Sequence, residues 1–128
     1  MKHLQKPEES SLCGQTCVAM IAGISLEESI NAFGTRGGTR TKDVVRALTK
    51  LGVKCGNKLI KLRSDVQKTE VCISKLHFST GKHTHWTVWN KNCFFDPGLP
   101  HLIGKYPEHL VKETSFLPIF TEEDEEDI

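Results

Sequence analysis

The feature that most constrains this fold is a change in the spacing of apolar residues after Gly52. Before it, apolar positions recur three and four residues apart, which is typical of helices. After it, β-branched and aromatic residues gather in short runs, which favour strands. Helices first and strands afterwards predict an α+β fold, with N-terminal helices packed on an antiparallel β-sheet. We expect one domain over residues 1–120, followed by an acidic, disordered tail over 121–128.

Two helices are predicted near the N-terminus. The first runs over residues 13–22, because the glycine that follows it, Gly23, is the residue type that most often ends a helix. Ser25 and Glu28 have the spacing of a capping box. They predict the start of a second helix, which extends to about Phe33.

A third helix is predicted over residues 42–51, with Thr41 as its cap. A further short helix is predicted over 106–114, where Pro107 suits the first turn. The segments that favour strands are, in chain order, residues 53–62, 71–78, 84–89, 93–95 and 115–120.

Cys13 is followed by glycine and opens the first predicted helix. Its sulfur would then lie near free backbone N–H groups and near the positive end of the helix dipole. Both favour the thiolate, which is the form of cysteine that attacks carbonyl carbons. The alternative is that Cys13 is a small core residue on an apolar helix.

A partner for this cysteine is predicted in the hairpin formed by residues 84–96. If Asn90 and Lys91 are the central residues of its turn, His85 pairs with Asp96. Opposed residues of an antiparallel pair share a face, with Cβ atoms about 5 Å apart. The hairpin therefore predicts a hydrogen bond between this imidazole and this carboxylate, and the prediction depends on the register.

A histidine held by a carboxylate is the group that a thiol nucleophile needs. The imidazole takes the thiol proton, while the carboxylate fixes the tautomer and stabilises the imidazolium. An ordinary polar pair at a sheet edge is the alternative for these two residues. The chain order of Cys13, His85 and Asp96 is that of papain-like cysteine hydrolases.

Between Gln5 and Gly98, the sequence resembles the bacteriocin-processing peptidase family of the papain-like superfamily. That family shows a glutamine before Cys-Gly, a helix ending in Met-Ile, a second helix, a strand that starts with histidine and an aromatic residue, and then Asp-Pro. The matching segments are Gln5, Cys13-Gly14, Ala19-Met20-Ile21, Ser25-Leu26-Glu27-Glu28, His85-Trp86-Thr87-Val88 and Asp96-Pro97.

The resemblance implies a papain-like fold and a cysteine peptidase that acts through a Cys13 thioester. Cys13 would be the nucleophile, His85 the general base and acid, and Asp96 the group that orients His85. The side-chain amide of Gln5 and the backbone N–H of Cys13 would form the oxyanion hole. Two features depart from the family: Leu12 stands where an acidic residue is usual, and Gln5 lies eight residues before Cys13.

Other functions could use the same residues. A papain-like site could deamidate a protein glutamine or transfer an acyl group to an amine, because these reactions differ only in the leaving group and the second nucleophile. A zinc site is a second alternative, although the chain contains no CxxC pair. A protein-binding module that has lost its chemistry is a third. The donors available for zinc are Cys13, Cys17, His83, His85 and Cys93.

The charge distribution gives little support for nucleic-acid binding. Six of the 16 acidic residues lie over 122–127, which leaves 17 basic and ten acidic residues elsewhere. These basic residues are scattered and aromatic residues are few. No apolar segment approaches the roughly 20 residues of a membrane span. We therefore expect neither a nucleic-acid partner nor a membrane span. The family resemblance implies a peptide or protein substrate, and we expect a monomer without a cofactor or metal.

The cysteine content bears on the compartment. Five cysteines are an odd number, which favours reduced thiols over a disulfide framework. The first dozen residues are polar and do not resemble a signal peptide. The sequence therefore predicts a cytoplasmic protein, or an effector secreted by a route that needs no leader.

Overall fold

The computed structural model describes residues 1–65, 67–80 and 83–120. These residues form an α+β fold, as predicted, in which three helices come first and five strands follow. The helices are α1 (Cys13–Ala22), α2 (Leu26–Phe33) and α3 (Thr41–Lys50). The strands are β1 (Ile60–Lys61), β2 (Val71–Phe78), β3 (Thr84–Asn90), β4 (Cys93–Phe95) and β5 (Val111–Ile119).

The helix ends follow from local hydrogen bonds. α1 ends where Gly23 takes the left-handed conformation, with φ 69°. The capping box of α2 is confirmed, because Ser25 and Glu28 each accept a hydrogen bond from the other's backbone N–H. α3 is capped by Arg40 rather than by a threonine, since the Asp43 carboxylate accepts the Arg40 N–H at 2.9 Å.

The strands form one antiparallel sheet in the order β1-β5-β2-β3-β4. β2 is the central strand and pairs with β5 on one side and with β3 on the other. α1 packs directly on β3, while α2 and α3 pack on α1 and on each other. The side chains buried in this core include Cys17, Val18, Val44, Leu48, Ile73, Trp86, Val88 and Leu117. This packing fixes α1 against the strand that carries His85.

The predicted helix over 106–114 is wrong. The chain makes a single turn after Pro107, whose carbonyl accepts hydrogen bonds from the N–H groups of Leu110 and Val111, and it then enters β5. β5 pairs with β2 along the whole of that strand. These ladder hydrogen bonds outweigh the weak tendency of so short a segment to form a helix by itself.

The β3–β4 hairpin is confirmed, but its register differs by two residues from the predicted one. Asn90 stays in β3 and pairs with Cys93, so the turn begins at Lys91, which has φ 53°. His85 is therefore not directly opposite Asp96. Because side chains alternate with a period of two, a shift of two residues leaves the two side chains on the same face.

Some predictions lie outside the described residues. These are the acidic tail over 121–128 and part of the turn over 79–82. Within the described ranges, none of the helices is both long enough and apolar enough to span a bilayer.

Candidate active site

Cys13 is the first residue of α1, and its side chain is half-buried. Leu12 precedes the helix and offers no side-chain acceptor to the free N–H groups of the first turn. The positive end of the helix dipole is therefore uncapped beside the sulfur. The backbone N–H groups of Trp86 and Gly14 lie close enough to the sulfur to lower the pKa of Cys13. Both α1 and β3 thus stabilise a thiolate at this position.

Gly14 allows α1 to approach its neighbours closely. A Cβ at this buried position would overlap the hydroxyl of Thr39 and would lie 3.4 Å from Cδ1 of Trp86. A glycine therefore fits here without displacing Thr39, and the Cys-Gly pair of the sequence has a steric cause.

His85 binds Asp96 across the β3–β4 hairpin. His85 Nε2 lies 2.6 Å from Asp96 Oδ1, and the two side chains are only 13% and 6% exposed. Gly98 leaves room for this contact, because a Cβ there would lie 3.3 Å from Asp96 Oδ1 and 3.8 Å from Cε1 of His85. His85 is also close enough to Cys13 for the two side chains to shift each other's pKa. Since Nε2 is occupied by Asp96, Nδ1 is the ring nitrogen left for the thiol.

The pKa values of these three residues shift toward their ionised forms. Burial would raise the pKa of Cys13, but its hydrogen bonds with His85, Trp86 and Gly14 and the charge of His85 together bring it below the ordinary 9.0. Burial would lower the pKa of His85, yet hydrogen bonds with Asp96 and Cys13 raise it from 6.5 to about 9. The pKa of Asp96 is lowered against the effect of burial, mainly by its hydrogen bond with His85. The arrangement favours a thiolate–imidazolium pair.

Asp96 has further donors besides His85. Its Oδ1 accepts the Gly98 N–H at 2.7 Å, and its Oδ2 lies 2.6 Å from the Tyr106 hydroxyl. That hydroxyl also lies 3.0 Å from Oγ1 of Thr87. A carboxylate can only accept, so the phenol proton belongs to the bond with Asp96, and the Thr87 hydroxyl can donate to Tyr106. Burial and the charge of Asp96 raise the pKa of Tyr106, which keeps it a neutral donor.

Sequence reasoning did not find Tyr106 or Thr87. Thr87 lies in the segment that carries His85, but its side chain is fully buried and gave no separate signal. Tyr106 lies in the segment that was predicted to be a helix. Tyr106 is the only tyrosine in the sequence, and this was the only feature that set it apart.

The N-terminal segment lies against the same loop. His3 Nε2 is 2.7 Å from the backbone oxygen of Asp96, and the Lys6 N–H donates to the Pro97 carbonyl at 2.9 Å. The His3 ring also meets the Phe95 ring edge-on, with centroids 6.0 Å apart. The N-terminal segment thus fixes the position of the backbone that follows β4.

Gln5 is not brought to the cysteine. Its side chain is exposed and lines a cavity of about 500 Å³ together with the C-terminal half of α1, including Met20 and Gly23. The seven residues between Gln5 and Cys13 contain a turn over residues 7–10. The structure therefore brings Cys13, His85 and Asp96 together and leaves Gln5 outside this cluster.

The other cysteines contrast with Cys13. Cys17 lies one turn later on α1 and is fully buried, which raises the pKa of its thiol. Burial also raises the pKa of Cys55 and brings that of Cys72 to about 12. Of the cysteines whose pKa is shifted, Cys13 alone shifts toward the thiolate.

The described residues contain no group of three or more His, Cys, Asp and Glu side chains placed to hold a metal ion. Two of the zinc donors suggested by the sequence illustrate this. Cys17 is buried in the core, whereas His83 is exposed at the start of the β-hairpin region. The zinc alternative therefore has no ligand set in this part of the chain.

No protein-family model matches this chain, and no curated protein or solved structure matches it either. The resemblance to the bacteriocin-processing peptidases accordingly stays a prediction based on the sequence motifs named above.

Proposed function

We propose that this protein is a cysteine-dependent amide hydrolase with a papain-like arrangement, and that it cleaves peptide bonds in a peptide or protein substrate. The observation that carries the proposal is the contact of His85 Nε2 with the Asp96 carboxylate at 2.6 Å, beside a thiol at Cys13 whose pKa this imidazole lowers. This is the order of nucleophile, base and orienting group that thiol catalysis requires. The order of helices before an antiparallel sheet is consistent with the papain-like fold.

The first half of the reaction would form a thioester. His85 holds the thiol proton as the Cys13 sulfur attacks the carbonyl carbon, so that a C–S bond forms and the carbonyl oxygen becomes an oxyanion. The backbone N–H of Cys13 has no intrahelical acceptor and is available to that oxyanion. When the intermediate collapses, the C–N bond breaks, and the His85 imidazolium gives its proton to the leaving nitrogen.

The second half would regenerate the thiol. A water molecule attacks the thioester carbon while His85 takes one of its protons. The C–S bond then breaks, the acyl group leaves as a carboxylic acid, and the proton held by His85 returns to the sulfur. Asp96 stays ionised throughout, because its part is to orient and stabilise the imidazolium.

The proposal is tested by incubating the protein with a mixture of peptides of known sequence and analysing the products by mass spectrometry. We expect new peptide termini with the wild type and none with Cys13→Ala or His85→Ala, both of which should keep the wild-type circular dichroism spectrum. Cys17→Ala is the matched control for loss of a thiol from α1. A folded Cys13→Ala variant with full activity would contradict the proposal, and a gain of about 1 Da at glutamine without cleavage would replace it by the deamidase alternative.

A further inference from the structure

An apolar cavity of about 440 Å³ opens beside the imidazole of His85. His85 and Asp96 line one end of it, together with Tyr106. Most of the remaining wall is formed by half-buried apolar side chains, and Gly98, Lys105 and Pro107 complete it. The half-buried apolar side chains are Phe78, Leu99, Ile103 and Val111.

The wall carries little charge. Among the described residues of the lining, Lys105 is charged in addition to His85 and Asp96. Its ammonium lies 3.2 Å from the Glu108 carboxylate on the exposed surface. The Phe78 ring lies next to the His85 ring, with centroids 6.0 Å apart. An apolar group that enters the cavity would therefore leave water and contact carbon atoms within reach of the imidazole.

The position of the cavity indicates which part of a substrate would enter it. A general acid must reach the nitrogen that departs, so the leaving group lies on the His85 side of the Cys13 sulfur. The cavity is lined by His85 but not by Cys13. It therefore lies on the His85 side of the sulfur, which is the side on which the leaving amine would be bound.

We infer that this cavity is a specificity subsite, which receives a bulky apolar side chain on the amine side of the amide bond that is cleaved. This inference rests on the proposed function and adds the substrate class: peptides with a large apolar residue immediately or shortly after the cleaved bond. Substrates with a charged residue at that position would lose the contact with the apolar wall.

The test uses three alkylating probes on the intact protein, with the rate at Cys13 followed by mass spectrometry. Iodoacetamide reports the reactivity of the thiolate alone. N-benzyl-2-chloroacetamide and N-(2-hydroxyethyl)-2-chloroacetamide carry an apolar and a polar group on the nitrogen side of the reacting carbon. We expect the benzyl probe to react about tenfold faster than the hydroxyethyl probe, as partial burial of one ring would give.

Two neighbouring substitutions separate the subsite from general effects. Ile103→Thr places a hydroxyl in the cavity wall, and we expect it to remove most of the preference for the benzyl probe. Leu102→Thr makes the same kind of change at a side chain that is 43% exposed and outside the cavity lining, and it should keep the preference. Leu102→Thr should also keep the wild-type rate with iodoacetamide. The preference is a ratio of two rates, so a general change in the reactivity of Cys13 cancels in Ile103→Thr.

The outcomes for the subsite and for the catalytic proposal are distinct. If iodoacetamide labels Cys13 rapidly in the wild type and slowly in His85→Ala, the catalytic arrangement holds. A benzyl preference below about twofold, or one that Ile103→Thr leaves intact, then overturns the subsite alone. If His85→Ala does not slow iodoacetamide, the proposed function fails and the subsite fails with it.

Discussion

The Tyr106 hydroxyl donates a hydrogen bond to Asp96 Oδ2 at 2.6 Å, on the oxygen that His85 does not use. The loop after β4 thus returns to the site and satisfies the second oxygen of a buried carboxylate. A buried carboxylate oxygen without a donor would destabilise the folded protein. The Tyr106 hydroxyl therefore stabilises the ionised Asp96 that pairs with His85.

Tyr106→Phe removes this donor while it keeps the ring that packs on Phe94, with centroids 4.6 Å apart. We expect the free energy of unfolding to fall by about 1–3 kcal/mol at neutral pH, as measured by urea denaturation, because a buried carboxylate oxygen loses its partner. The pKa of Asp96 should rise toward its ordinary value. As pH is lowered, the variant should therefore lose activity at a higher pH than the wild type does. Thr87→Val, which removes only the Thr87 contact, is the matched control and should cost less. Unchanged stability in Tyr106→Phe would contradict this role.

Gln5→Ala tests the oxyanion role that the family resemblance implies. Loss of an oxyanion donor typically lowers kcat by about 10²–10³-fold. Because the Gln5 side chain is exposed and faces the C-terminal half of α1, we expect peptide cleavage to change less than about threefold. A loss of 100-fold or more would mean that Gln5 moves to the sulfur when substrate binds.

Gly14→Ala tests the close approach of α1 to the loop before α3. The added methyl group would meet the Thr39 hydroxyl, and we expect a loss of stability of about 1–3 kcal/mol. The double variant Gly14→Ala/Thr39→Ala removes the overlapping hydroxyl and should recover most of that loss. Thermal unfolding of the two variants and of Thr39→Ala alone gives the comparison, and no recovery in the double variant would contradict the steric cause.

The raised pKa of His85 predicts how stability depends on pH. A group whose pKa is raised from 6.5 to about 9 contributes all of its stabilisation below pH 6.5 and loses it as pH rises toward about 9. The lowered pKa of Cys13 acts in the opposite direction near its ordinary value of 9.0. We expect the thermal midpoint of the wild type to fall between pH 6.5 and about 9, and to fall less in His85→Gln. An equal slope in both proteins would show that His85 is not held as an imidazolium.

The helical half of the chain was largely predictable from sequence. α1 and the capping box of α2 lie where glycine and serine signals indicate them, because helix ends depend on hydrogen bonds between near neighbours. The segment over 106–114 could not be predicted in this way. Its residues 111–114 belong to β5, which forms through pairing with β2, more than 30 residues earlier in the chain.

The candidate site was predictable only in part. The predicted contact of His85 with Asp96 is present although the register was wrong, because an error of two residues keeps both side chains on one face. Tyr106 could not be foreseen, since its contact with Asp96 depends on the path of an irregular loop. The position of Gln5 could not be foreseen either, because it follows the path of an irregular segment with a local turn over 7–10.

The most direct test of the central claim is the rate of alkylation of Cys13 by iodoacetamide as a function of pH, from roughly pH 5 to 9, with each of the five cysteines resolved by mass spectrometry. We predict that Cys13 reacts faster than the other four cysteines, with a midpoint below the ordinary thiol value of 9.0. In His85→Ala the midpoint should move upward and the rate at neutral pH should fall. A Cys13 midpoint at or above 9.0 in the wild type, or one that His85→Ala leaves unchanged, would contradict the thiolate–imidazolium pair.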